Sequence, residues 1–231
     1  MLKENIATVQ ARIKIALAHR KENKLTGNTV KLVAVTKNHP VTALVETLAL
    51  GVVDIGENRV QEAREKKAIL PQGGVWHLLG HLQTNKTKQA VELFELIESV
   101  DSTKILQAID REAEKQGKIQ DVLLELNLAE EEQKTGLSRE AYRKLVPLLS
   151  HFTRVRVRGL MVIAKRSDDA ETTRTVFRAG YEEFCALQAI LGTNCDTLSM
   201  GMTHDYWIAI EEGSNSIRVG TALFGAREYP A

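Results

Sequence analysis

The chain of 231 residues has little that could staple or link it. It carries two cysteines, Cys185 and Cys195, in neither C-x-x-C nor metal-ligand spacing. That excludes a disulfide framework and fits reduced, buried thiols in a cytoplasmic protein. Only four prolines interrupt apolar residues that are spread throughout, so the chain is not disordered. Net charge is nearly absent as well: 31 Lys+Arg against 30 Asp+Glu leave +1. This weighs against nucleic-acid binding through a broad basic surface. No run approaches the roughly 18 consecutive apolar residues of a membrane span. The N-terminus lacks the pattern of a signal peptide. There is no Ser/Gly-rich linker, composition shift or low-complexity segment, so residues 1–231 are expected to form a single domain. Nucleophile elbow, P-loop and H-E-x-x-H are all missing, and no metal site is expected.

What remains is an ordinary globular composition, 43% hydrophobic and 26% charged, in a chain long enough to bury a sizeable core. Leu2, Ile6, Val9, Ile13 and Leu17 recur at helical spacing and predict an amphipathic helix lying on that core. Beyond it, short β-branched runs alternate with helical stretches. Strands are predicted from Val30, Val52, Val75, Leu96, Asp121, Arg154, Asp196 and Asn215. Helices are predicted after Pro40 and before Gly117, with Asp101-Ser102 capping one start and Gly117 and Gly213 marking stops. Spread over eight units, the 231 residues give about 29 each, near the roughly 31 of a typical (β/α)8 barrel. The expected fold is therefore an α/β, TIM-type barrel with an extra N-terminal helix packed across it. An open doubly wound sheet is the competitor.

In a barrel, function collects at the carboxyl ends of the strands. Those positions hold Lys37, Glu57-Asn58, Gly80-His81, Asn127, Met161, Ser199 to Thr203 and Arg218 to Thr221. Alternation puts Val33, Val35 and Lys37 on one face. If that face is the interior, Lys37 enters a partly dry mouth that favours a neutral amine, as a Schiff-base lysine requires. The plain alternative is a lysine that ends a strand and reaches solvent. Thr203 falls where a helix N-cap belongs, which suits either a phosphate site or a purely structural cap. Arg218 alternates with Ile217 and Val219 and would point inward, toward a phosphate site after the last two strands or toward Glu57 or another strand-end carboxylate. His77 and His81 need not share a face, and His204-Asp205 would sit in a first helical turn. The run GENRVQEAREKK reads as a solvated helix face apart from Glu57 and Asn58.

Taken together, LVAVTK, IGENRVQEA, WHLLGHLQTNK, LNLAEEEQKTGL, RGLMVIA, LSMGMTHDYWIAI and SIRVGTALFGARE resemble the pyridoxal phosphate homeostasis protein family, relatives of the N-terminal barrel of alanine racemases (fold type III). The resemblance implies pyridoxal 5'-phosphate (PLP) as cofactor, with Lys37 as the Schiff-base lysine and Arg218 facing the pyridine nitrogen. It also implies Thr203, Gly220 and Thr221 at the phosphate, Asn58 near the ring, and Ser199 in the site. His77 and Met161 match by motif without an individual role. Two departures stand out: Arg59 replaces the aromatic residue that usually follows GEN, and GMT replaces GMS, which keeps a hydroxyl at Thr203.

The implied function is non-enzymatic: holding PLP in vitamin B6 homeostasis and delivering it to apo-enzymes, with no nucleic acid or membrane partner and a monomer or weak dimer as the expected state. The alternatives are a PLP-dependent enzyme such as an amino-acid racemase, or a class I aldolase-like barrel using Lys37. A racemase adds a β domain with a catalytic tyrosine. Here the sequence stops at Ala231, and Tyr142, Tyr181, Tyr206 and Tyr229 fall in helical stretches or at the terminus.

Overall fold

The structure, a computed structural model, describes residues 1–128, 135–165 and 167–225. Tyr229, the ARE of SIRVGTALFGARE and part of LNLAEEEQKTGL lie outside the described residues. All eight predicted strands form: β1 (Lys31–Val35), β2 (Asp54–Glu57), β3 (Val75–Leu78), β4 (Leu96–Val100), β5 (Gln120–Leu126), β6 (Val155–Val162), β7 (Thr197–Met200) and β8 (Ser216–Val219). They pair in chain order, all parallel, and β8 returns to β1 with Val33 opposite Arg218, closing the barrel. The open doubly wound sheet is thereby excluded.

Helices separate the strands: α1 (Leu2–Ala18), α2 (Val41–Ala49), α3 (Val60–Ile69), α4 (Thr87–Leu93), α5 (Thr103–Lys115), α6 (Arg139–Leu145), α7 (Ala170–Leu191), α8 (Tyr206–Glu211) and α9 (Thr221–Phe224). Ser102 caps α5 by accepting from the Ile105 N–H, and Asp169 caps α7 by accepting from Glu171 and Thr172. The α1 helix buries Leu2, Ile6, Val9, Ile13 and Ala16, with Leu17 only partly covered, and packs on α8 and α9.

Strand alternation divides the core in two. Ala34, Ile55, Trp76, Leu78, Ile97, Val122, Leu160, Leu198, Ile217 and Val219 face outward and join the helices in one apolar layer. Inside the barrel a smaller cluster of Leu96, Leu123 and Met161 packs against Ile163. Beside the inward Val33 and Val35 the interior is polar: Asp54, His77, Glu98, Ser199 and Arg218 occupy inward positions, and all but Asp54 are buried. Barrel interiors are usually filled by branched apolar side chains, so this polar set requires an explanation.

Candidate functional site

At the carboxyl ends of β1, β2, β7 and β8 the strands open into a cavity of about 280 Å³. Val35 and Lys37 reach it from β1 and the turn after it, Asn58 from the end of β2, Thr203 from the turn after β7, and Arg218, Gly220 and Thr221 from β8 and the start of α9. Six sequence-predicted residues, Lys37, Asn58, Thr203, Arg218, Gly220 and Thr221, thus share one wall system. Lys37 is half-buried, beside the inward-facing Val35, as alternation predicts.

Arg218 is 4% exposed. Its Nη1 donates to Ser199 Oγ at 2.6 Å and its Nη2 to Val162 O at 3.0 Å. Burial pulls the guanidinium below its ordinary pKa, opposed by Glu98, Asp205 and Glu125, but an arginine stays charged. Among the described residues its carboxylate partner is Glu98, 4.0 Å away, not Glu57. Gly220 lies so close to β1 that a Cβ there would sit 3.3 Å from the Val35 carbonyl oxygen. A side chain at that point would press on Val35, which lines the cavity.

Several expectations are corrected. Thr203 is not a helix cap: α8 starts at Tyr206 after Asp205, whose Oδ1 accepts the Met202 N–H at 2.6 Å. Thr203 Oγ1 instead accepts the Ala222 N–H at 3.3 Å, tying the β7 turn to α9. The tight turn depends on Gly201, where φ is +92° and an added Cβ would lie 2.7 Å from the Tyr206 Cα, so no side chain is admitted. Glu57 points outward and is fully buried against α3. There Lys66 Nζ donates to Glu57 Oε1 and to Thr36 O, each at 2.7 Å. Lys66 is itself buried, so the α3 segment is not uniformly solvated. Ser199 does not line the cavity but sits behind Arg218. Met161 belongs to the apolar interior cluster, His77 lies deeper in the barrel, and His81 is on the surface, 2.6 Å from Asp101. Arg59 is exposed at the start of α3, beside a separate groove with His39 and Glu62.

Two lining residues, Leu79 and Ile163, are not singled out by the sequence; Met202 falls within the Ser199 to Thr203 stretch, and His204 lines the cavity as well. Each lies just past a strand end, which was the available signal. Ile163, Met202 and His204 also border a second cavity of about 360 Å³, lined further by Lys165, Asp205 and Trp207. Among the described residues no cluster of His, Cys, Asp and Glu is arranged to hold a metal ion.

The donor set can be tested against an anionic, aromatic cofactor. Two cationic side chains, Lys37 and Arg218, and two hydroxyls, Thr203 and Thr221, line the cavity, and among the described residues no carboxylate does. Val35, Leu79, Ile163 and Met202 supply apolar walls for a flat ring. The residues fit a phosphorylated aromatic aldehyde, with an amine, a cation and hydroxyl donors in one pocket.

Comparison with known proteins shows the family and the fold. Residues 2–228 match the alanine racemase N-terminal domain family. The pyridoxal phosphate homeostasis protein of Haemophilus influenzae is 35% identical over 99% of this chain and 97% of that protein. PipY of Synechococcus elongatus, 37% identical, superposes with a TM-score of 0.85 without PLP and 0.83 with PLP bound, over 97% of this chain and 100% of PipY. An alanine racemase from Clostridium difficile shares the fold at 15% identity, with a TM-score of 0.70 over 96% of this chain and 57% of the racemase. With an eight-stranded barrel and family matches spanning nearly its whole length, the chain belongs to the pyridoxal phosphate homeostasis protein family, within the larger family of alanine racemase N-terminal domains.

Proposed function

We propose that this protein binds PLP at the mouth of its barrel and serves PLP homeostasis by holding and releasing it rather than by turning over amino acids. The carrying observation is the single cavity shared by Lys37, Arg218, Thr203, Gly220 and Thr221. When bound, PLP supplies an electrophilic aldehyde and an electron-accepting ring. Lys37 provides the amine for covalent attachment. Thr203 and Thr221 offer hydroxyl donors to the phosphate, and Gly220 lets the backbone approach it. Arg218, which can only donate, would meet the ring nitrogen and keep it unprotonated. Asn58 lines the same cavity and would stand near the ring. The binding unit is residues 1–231, and the setting is the cytoplasm: among the described residues no helix is long and apolar enough to cross a membrane, and Cys195 is buried as a free thiol. The partners that fit a holder of PLP are apo forms of PLP-dependent enzymes, met as a monomer or weak dimer.

A racemase reading has one observation in its favour, the presence of His204 on the same cavity wall. Two-sided proton transfer needs an acid and a base in hydrogen-bonding reach of opposite faces, and each positioned group contributes roughly 10²–10⁴-fold. Among the described residues no tyrosine lines the cavity; Tyr142, Tyr181 and Tyr206 lie on α6, α7 and α8. The experiment is to incubate PLP-loaded protein with L- and D-alanine in deuterated water, following optical rotation and Cα deuterium. Negligible racemisation is expected, and slow one-sided exchange is compatible with holding. Turnover in the ordinary enzymatic range of about 1–10³ s⁻¹, abolished in His204→Gln, would overturn the reading.

A further inference from the structure

An unbroken chain of hydrogen bonds crosses the barrel interior and ends on Arg218. At the amino end of β1, Lys31 Nζ is 3.2 Å from Asp54 Oδ1. That oxygen is 3.0 Å from His77 Nε2, and His77 Nδ1 is 2.7 Å from Glu98 Oε1. Ser199 Oγ donates to Glu98 Oε2 at 2.5 Å and accepts from Arg218 Nη1 at 2.6 Å. The members come from six strands, and His77, Glu98 and Ser199 are completely buried.

Geometry fixes the protons. Both ring nitrogens of His77 face carboxylate oxygens. A neutral imidazole has one donor and one lone pair, so either tautomer would aim a lone pair at a carboxylate. With both carboxyl groups ionised, the imidazolium is the form that satisfies both contacts. Arg218 can only donate, so Ser199 accepts from it and passes its single proton to Glu98. Charges then alternate along Asp54, His77, Glu98 and Arg218 and cancel. Burial lowers the His77 pKa and raises that of Glu98, but their mutual hydrogen bonds and charges prevail, leaving His77 above and Glu98 below the ordinary values.

Stability alone does not account for such a set, since buried ion pairs are commonly matched or bettered by apolar packing. The chain does hold one flexible side chain in place. Besides Glu98, the carboxylates of Glu125 and Asp205 also attract Arg218. A guanidinium released from Ser199 has those two acids, or a bound phosphate, as competing partners.

The geometry points to His77, as a permanent buried imidazolium, and Ser199 as positioning residues that hold Arg218 at the ring end of the cavity through Glu98. The assignment rests on the proposed PLP site, but the arrangement is measurable without cofactor. In ¹⁵N spectra of the cofactor-free protein, both His77 ring nitrogens stay protonated past the usual imidazole pKa of about 6.5. The Arg218 Nε–H gives a sharp signal in wild type and Ser199→Thr and a broadened one in Ser199→Ala. In binding assays Ser199→Ala loses roughly tenfold affinity for PLP and for unphosphorylated pyridoxal alike, the effect of one charge-assisted hydrogen bond. Ser199→Thr stays near wild type. A His77 that titrates near 6.5 overturns the assignment, as does a folded Ser199→Ala with unchanged Arg218 signal and unchanged affinities. A wild type that binds no PLP but shows the expected spectra removes the cofactor reading and leaves the Arg218 anchor standing.

Discussion

Replacing Lys66 with methionine tests how the α3 helix is fastened behind the site. Lys66 is 5% exposed, and its ammonium donates to Glu57 Oε1, Glu62 Oε1 and Thr36 O, each at 2.7 Å. Methionine fills the alkyl path but leaves Glu57 fully buried with the Thr36 hydroxyl, 2.5 Å away, as its remaining donor. Glu57 Oε2 finds no partner among the described residues even with Lys66 present. Removing one member of a buried pair costs about 3–5 kcal/mol. For a chain of this size that lowers the melting temperature by roughly 6–20 °C. The sign of the pH dependence follows from Glu57. Burial raises its pKa, only partly offset by Lys66 and Thr36. The folded state therefore binds more protons than the unfolded state above the ordinary carboxylate range, and stability falls as pH rises. Without Lys66 that fall steepens, so the deficit is smallest near pH 4.5 and grows toward pH 8, relative to an unfolded glutamate pKa of about 4.3. Thermal and urea unfolding of cofactor-free protein across that range measures it. Adding Glu57→Gln should recover most of the loss at pH 8. A deficit independent of pH, or no recovery in the double variant, would refute the reasoning.

At the cavity, Thr221→Val removes a lining hydroxyl that we propose meets the phosphate and should weaken PLP retention by roughly ten- to a hundredfold, the effect of one hydrogen bond of about 1.5–3 kcal/mol. Pyridoxal binding should be unaffected, and equal losses for both ligands would indicate a folding defect. A side chain at Gly220 meets the Val35 carbonyl oxygen at 3.3 Å; Gly220→Val should reduce PLP binding at least as much, with near-normal circular dichroism. Inside the barrel, hydrogen bonds to His77 hold Asp54 and Glu98 below the ordinary carboxylate range despite their burial. Their stabilisation is present above an unfolded pKa of about 4 and is lost as pH falls through the folded values. Glu98→Gln should flatten that acid limb in pH-dependent melts.

The barrel was legible because every strand is a short β-branched or apolar run bounded by turn chemistry, and because the helical stretches between them fill the remaining length. Lys37 and Arg218 were legible from strand alternation, Lys37 because it shares a face with Val33 and Val35, and Arg218 because it falls between the outward Ile217 and Val219. The misreadings arose where a side chain's partner is distant in sequence. Thr203 looked like a cap because apolar residues follow it, but the Asp205 contact with the Met202 N–H delays α8 until Tyr206. Glu57 looked like part of the mouth by its place at a strand end, yet the last position of β2 faces α3, where Lys66 meets it. The interior network was invisible to local reading. Its Ser199–Glu98 contact joins residues 101 positions apart, and each member alone is an ordinary polar residue in a strand.

The central claim, that Lys37 is the attachment point for PLP, is tested most directly by borohydride reduction of the PLP-loaded protein followed by peptide mass mapping. Lys37 lines the cavity that also holds Arg218, Thr203 and Thr221, whereas Lys165 lines the neighbouring one. A reduced adduct on Lys37, absent from Lys37→Ala together with the cofactor's visible absorbance, is the predicted result. An adduct on Lys165, on Lys86 or on no lysine at all would contradict it.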